Sequence, residues 1–273
     1  MPYKHILLLI VVLALVSGCT GISPSAVAPV EPQTQTNNGT APASDVSVSP
    51  NPLKKVYLTF DDGPNSIWTG QVLDILKKYG IKASFCVIGN NVDKNPEVLK
   101  RILDEGHIVI NHTYSHDYKK IYASPEAFLA DLERDNQSIA AVTGSGVKIF
   151  RAPGGPTKLS KSYFELLNKN GYKSLSWNVA SNDTDPKGIS PEQLIDNVEK
   201  GVIRIENLKR TPIILMHDGT EINLSADKPG NIVHNYIHSR ESDVAALPAI
   251  IEFLQARGGY TFAGVDENTP QAW

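Results

Sequence analysis

The sequence predicts an α/β fold, a mostly parallel sheet whose strands are joined by crossover helices. Three features predict it. Short apolar, β-branched or aromatic runs recur along the chain, helix-period patterns separate them, and Asn/Ser-Pro-Glu starts and Gly stops mark the helix ends. Short strands in this repeating order suit either a closed barrel or an open doubly wound sheet. The turn Gly-x-Gly-x-x-Gly is absent after the first strand, which argues against a dinucleotide cofactor.

At the start of the chain, Lys4, the apolar run Ile6–Val16 and the small pair Ser17-Gly18 read as an export signal over residues 1–18. That run is too short for a stable membrane span, which needs about twenty residues. Val16-Ser17-Gly18-Cys19 resembles the lipobox of bacterial lipoproteins. The resemblance implies a lipid on Cys19 and an extracytoplasmic protein anchored to the bacterial cell membrane through that lipid alone. The alternative is an ordinary signal with an incidental Cys. Residues 19–52 are rich in Ser, Thr, Pro, Asn and Ala, lack aromatics, and carry only Glu31 and Asp45 as charges. Such a segment buries too little apolar surface to offset its ordering entropy, so a disordered tether is expected.

Residues 53–266 suit one domain, with 267–273 as a C-terminal tail. Cys86 is the one cysteine beyond Cys19 and sits in an apolar run, which excludes a disulfide framework and suggests a buried small hydrophobe. A formal net charge of −3 with both signs interspersed leaves no basic run for phosphates, so nucleic acid is not an expected partner.

Within the domain, strands are expected at Lys55–Phe60, Ala83–Ile88, His107–Asn111, Val147–Phe150, Lys173–Trp177 and Pro212–Met216, with a weaker one around Tyr260–Phe262. Asn95-Pro96, Ser124-Pro125 and Ser190-Pro191 each place a cap residue before Pro at the first helical position. Gln193 completes a capping box with Ser190. Gly80, Gly106 and Gly171 sit where helices should end.

In a barrel, catalytic residues gather at the C-terminal ends of the strands. Asp61 and Asp62 end the first expected strand, His112 follows the third, Arg151 ends the fourth, Asp183 follows the fifth and His217 ends the sixth. Alternation along a strand points adjacent carboxylates in different directions, so one can hold a cation while the other takes a proton. His112 and His116 are four apart, a metal-ligand spacing if that turn is helical. With Asp62 they make two imidazoles and one carboxylate, the three protein ligands that a catalytic metal site wants. Asp61 is then the candidate base. Arg151 could pair with Asp61, and the loop Pro153-Gly154-Gly155 could bring backbone N–H groups to a developing oxyanion. His217 suits a general acid. His107 reads as structural, and His234 and His238 as part of a solvated excursion, Asp218 to Arg240, that shapes the rim; Tyr236 there is a candidate sugar contact.

Thr59-Phe60-Asp61-Asp62-Gly63, His112-Thr113-x-x-His116, Arg151-x-Pro153-Gly154 and Leu215-x-His217 together resemble motifs of the polysaccharide deacetylases, the NodB-homology family or carbohydrate esterase family four. The resemblance runs from Val56 to Phe262. It implies a distorted (β/α) barrel of about seven parallel strands and a divalent metal, zinc or alternatively cobalt. It implies Asp62, His112 and His116 as ligands, Asp61 as the base and His217 as the acid. The backbone N–H of Gly154 would stabilise the oxyanion and Leu215 would line the acetyl pocket. Asp183 matches the second Asp of the fourth motif, the partner of the acid. That motif departs from the family pattern at Ala180 and Thr184, which replace an Asp and a Trp. Gly154 stands where a large side chain is frequent. Both changes predict a more open cleft.

The expected activity is removal of N-acetyl groups from an amino-sugar polymer, peptidoglycan or chitooligosaccharide, by a monomer whose partner is the acetylated polysaccharide. Two rivals remain: an O-deacetylase of the acetylxylan type with the same site, and a glycan-binding lipoprotein without catalysis.

Overall fold

The computed structural model describes residues 54–219 and 232–272. The signal, Cys19 and the tether expected over residues 1–52 lie outside the described residues, as do positions 220–231 of the expected rim excursion. Among the described residues no helix is long and apolar enough to cross a membrane.

Eight strands are described: β1 (Lys54–Asp61), β2 (Ser84–Val87), β3 (Ile108–Asn111), β4 (Ile149–Phe150), β5 (Lys173–Ser174), β6 (Val179–Ala180), β7 (Ile213–His217) and β8 (Tyr260–Phe262). The helices are α1 (Trp68–Tyr79), α2 (Gly89–Lys94), α3 (Pro96–Asp104), α4 (Tyr118–Ile121), α5 (Pro125–Thr143), α6 (Lys161–Lys169), α7 (Pro191–Asn207) and α8 (Ile232–Ala256). Seven strands lie in the order β5-β4-β3-β2-β1-β7-β6, while β8 pairs with the first residues of β1, and all pairings are parallel.

That order decides between the two architectures the sequence leaves open. The edge strands β5 and β6 are joined by the four residues Leu175–Asn178. Laid flat, seven strands would hold their edges about 29 Å apart at a spacing of about 4.8 Å. The link from Ser174 to Val179 reaches at most about 17–18 Å fully extended. The sheet therefore curls into an incomplete barrel, and this chain has the expected barrel architecture.

Alternation along β1 fills both sides of that curl. Val56, Leu58 and Phe60 pack outward with Val72 and Leu76 of α1 and Ile250 of α8. Tyr57 faces inward with Cys86, Ile110 and Ile213. Thr59 and Asp61 continue Tyr57's face toward the C-terminal rim. In β7, Ile213 lies inward, whereas Ile214 and Met216 join the outer core, which places Leu215 and His217 on the inner face. Within residues 267–272, read from sequence as a tail, Thr269 and Ala272 are buried, Ala272 in the inner cluster.

Ser190 and Gln193 make both halves of the capping box at α7, and Ser124 accepts from Ala127 N–H at 3.1 Å at α5. Asn95 differs. It stands at the start of α3 without capping it, and its amide donates to Pro64 O at 3.2 Å and Asn91 O at 3.1 Å, tying the turn after β1 to α2. Two strand expectations also change. Val147–Phe150 and Lys173–Trp177 shorten to two-residue pairings, and β6 is an additional strand. Described residues from Ile232 onward are helical, so residues 232–240 of the expected excursion belong to α8.

Candidate active site

Asp61 ends β1 on the inner face and is buried. Arg151 Nη1 donates to Asp61 Oδ1 at 2.6 Å and to Thr59 Oγ1 at 2.8 Å, so the fully buried guanidinium reads two successive inward positions of one strand. The other Asp61 oxygen, Oδ2, lies 3.7 Å from His112 Nε2. One carboxylate oxygen is clamped and the other faces the centre.

Asp62 turns away from the strand with φ 75°. Its Oδ1 lies 3.4 Å from both His112 Nε2 and His116 Nε2. The segment joining those histidines is a loop rather than the helical turn the spacing suggested, with Thr113 at φ 70° and His116 at φ 49°. Its anchors come from α5. Asp135 Oδ2 accepts from His112 N–H at 3.1 Å, and Asp131 Oδ1 accepts from Ser115 N–H at 2.8 Å. Asp117 then caps α4, accepting from Lys119 N–H at 3.0 Å.

The three groups fit a cation. Ligand atoms of Asp62, His112 and His116 all lie within 4.8 Å of one another. Asp62 Oδ1 is buried with no hydrogen-bond partner. His112 Nδ1 lies 2.8 Å from Arg151 O, which can only accept, so Nδ1 carries a proton and Nε2 is the nitrogen that faces Asp62. Two ligands held at about 2.0–2.1 Å from one tetrahedral ion stand about 3.4 Å apart, the separation found here.

His217 ends β7 opposite this trio. Asp183 Oδ1 accepts from its Nδ1 at 2.8 Å, and Asp183 Oδ2 accepts from its backbone N–H at 2.7 Å. Burial alone would lower the imidazole's pKa, but the Asp183 charge and hydrogen bond outweigh it and raise it. Asp183 is held well below the usual carboxylate range, although burial opposes this, by His217 and by Arg240. Next to His217, Asp218 is pushed up to about 7, first by burial and then by the Asp62 charge, against the bond from Thr69.

A cleft of about 490 Å³ opens over these groups, lined also by Tyr118, Gly154, Trp177, Leu215, Tyr236 and Arg240. All the sequence-predicted barrel residues thus lie at one rim: Asp61, Asp62, His112, His116, Gly154, Leu215 and His217 line the cleft, and Arg151 and Asp183 bond to them from beneath. Cys19 lies outside the described residues. His107 sits away at the strand starts, accepting from Ala83 N–H at 3.2 Å, and burial, with Lys82 nearby, lowers its pKa to about 4. His238 pairs with Glu241 on the outside of α8.

Several residues escaped the sequence reading. Arg240 and Asp243 on α8 are buried, and Arg240 bonds Asp183 from a position fifty-seven residues away. The expected opening at Gly154 is also corrected. Tyr118 lies against Gly154 and Trp177 against Gly155, so aromatic rings from other segments fill that side. No local pattern marks these partners; a buried Arg three residues before an Asp is the nearest thing to a signal.

Comparison with known proteins agrees with the geometry. Residues 49–175 match the family model described as polysaccharide deacetylase. A peptidoglycan-N-acetylglucosamine deacetylase of Bacillus cereus is 33% identical over 221 residues, covering 80% of this chain and 89% of the relative. A chitooligosaccharide deacetylase of Rhizobium leguminosarum bv. trifolii is 32% identical over 75% of this chain and 87% of its own. The solved catalytic domain of a peptidoglycan N-acetylglucosamine deacetylase from Eubacterium rectale superposes with a TM-score of 0.65 at 33% identity, covering 81% of this chain and 93% of that one.

Proposed function

This chain belongs to the polysaccharide deacetylase family, hydrolases that cleave amide-linked acetyl groups, and from that premise we propose that it N-deacetylates the amino sugars of peptidoglycan or chitooligosaccharide with a divalent metal held by Asp62, His112 and His116. The observation that carries the reading is the meeting of this trio, the free oxygen of Asp61 and the Asp183-bound His217 at one cleft. Zinc suits two imidazoles and a carboxylate, and cobalt takes the same donors. When bound, such an ion polarises the acetyl carbonyl and makes water a stronger nucleophile.

The residues divide the remaining work. Asp61, fixed through Oδ1 by Arg151, takes the proton of the attacking water on Oδ2. Gly154 presents its backbone N–H to the oxygen on which charge develops. Leu215 supplies an apolar wall for the acetyl methyl. His217, protonated and oriented by Asp183, passes a proton to the departing amine. The products are acetate and a free amino sugar.

We place the protein outside the cytoplasm as a monomer, held to the membrane by a lipid on Cys19 and a tether over residues 19–52; the export signal and the lipobox-like run ending at Cys19 support this. A Cys19→Ala protein is expected to leave the membrane fraction. Acetate release from N-acetylchitooligosaccharides, peptidoglycan and acetylxylan, with and without added zinc or cobalt, tests the activity. Release from acetylxylan alone would favour the ester rival, and bound metal without release from any polymer would favour the binding-only one.

A further inference from the structure

Gly154 and Gly155 stand at the rim with φ 70° and 91°, and neither has room for a side chain. A Cβ on Gly154 would lie 2.8 Å from Tyr118 Oη, and one on Gly155 would lie 2.9 Å from Trp177 Cη2. Two aromatic rings from separate segments thus occupy the space beside consecutive glycines, and both line the cleft with Asp61, Asp62 and Leu215.

Each ring is braced from behind. Tyr118 stands edge-on to His116 at 5.6 Å and packs on Tyr122 at 5.7 Å, whose hydroxyl donates to Pro153 O at 2.6 Å in the same Pro-Gly-Gly loop. Trp177 lies over the buried Arg151 guanidinium at 5.6 Å, held by the short link between β5 and β6. Tyr118 is 43% exposed as a residue. A pre-positioned aromatic surface of this kind, open to solvent beside a polar centre, suits a ligand with apolar faces and a hydroxylated edge. A pyranose ring has that chemistry: its C–H-bearing faces pack on an aromatic ring while its hydroxyls remain hydrated.

We propose that Tyr118 and Trp177 are the two aromatic walls that hold the pyranose bearing the acetyl group, with Tyr118 a specificity-determining residue that takes the side-chain space absent at Gly154. The inference rests on the deacetylase reading and adds to it the groups that select a sugar over any other acetylated molecule.

The test compares acetate release from chitotetraose, fully N-acetylated, with release from vinyl acetate, which carries an acetyl group and no ring. The zinc-loaded full-length wild type, Tyr118→Ala and Tyr118→Phe are measured, with metal content and thermal unfolding checked for each. Tyr118→Ala is expected to raise KM for chitotetraose so that the preference over vinyl acetate falls about tenfold, while kcat changes less. Tyr118→Phe keeps the ring and is expected to keep most of the preference. An unchanged preference in Tyr118→Ala, or an equal loss on both compounds, overturns the inference while leaving the deacetylase reading standing. Wild type that splits vinyl acetate but no amino-sugar polymer overturns both.

Discussion

Arg240 reaches Asp183 twice through Nη2, bonding its backbone carbonyl at 2.9 Å and approaching Oδ2 at 3.2 Å. The same nitrogen lies 3.0 Å from Asp243 Oδ2. A buried guanidinium between two buried carboxylates is what keeps Asp183 under His217. It also joins α8 to the catalytic rim.

Removing that cation leaves Asp183 with His217 as its remaining cationic partner and Asp243 with none. Arg240→Met should therefore destabilise the fold by about 3–5 kcal/mol, read as a lowered midpoint in denaturant. Arg240→Met/Asp243→Asn relieves one of the two carboxylates and should recover part of the loss. No recovery in the double variant would refute the coupling.

The base and the ligands should separate cleanly. Asp61→Asn leaves the Asp62, His112 and His116 donors in place and should retain metal while kcat falls by about 10²–10⁴. His112→Ala should lose both metal and turnover. Metal content by mass spectrometry beside acetate release distinguishes them, and full turnover in Asp61→Asn would rule out its role.

Metal should also be visible in stability. An ion that binds only the folded chain raises its unfolding free energy, by about 2.7 kcal/mol at a hundred times the dissociation constant. Zinc should raise Tm of the wild type, a chelator should reverse the rise, and Asp62→Ala should abolish it. A Tm in Asp62→Ala that still responds to zinc would place the ion elsewhere.

The paired His217 and Asp183 give opposite pH dependences. His217 is raised above its ordinary 6.5, so its contribution to stability is full below that value and lost as the pH rises through the folded pKa. Asp183 is lowered from 3.8, so its contribution is present above that value and lost as the pH falls through the folded pKa. Between these limits the acid stays protonated and oriented. In Asp183→Asn the raising charge is gone, and the alkaline limb of kcat/KM should move to lower pH. A limb that stays where it is in the wild type would exclude His217 as the group that sets it.

Cys86 is buried on the inner side of β2 beside Tyr57 and Ile110, and burial pushes its thiol well up. In a Cys19→Ala background it should resist a thiol reagent in the folded protein and react only after unfolding. Rapid native labelling would mean that the barrel interior opens.

By itself the sequence determined the repeating alternation of strands with crossover helices, the alternation that separates Asp61 from Asp62, and the rim where polar residues collect. These are local matters, set by a two-residue strand period and by caps such as Ser190 with Gln193. It did not determine the loop from His112 to His116 with its positive φ at Thr113 and His116, the short strand β6, the helical path of residues 232–240, or the partners Arg240, Tyr118 and Trp177. Those depend on the curl of the sheet, which brings β5 and β6 within a four-residue link, and on the packing of α8 against α7 and α1. A contact between residues fifty-seven apart leaves no period in the chain, because only the closed packing brings the two groups together.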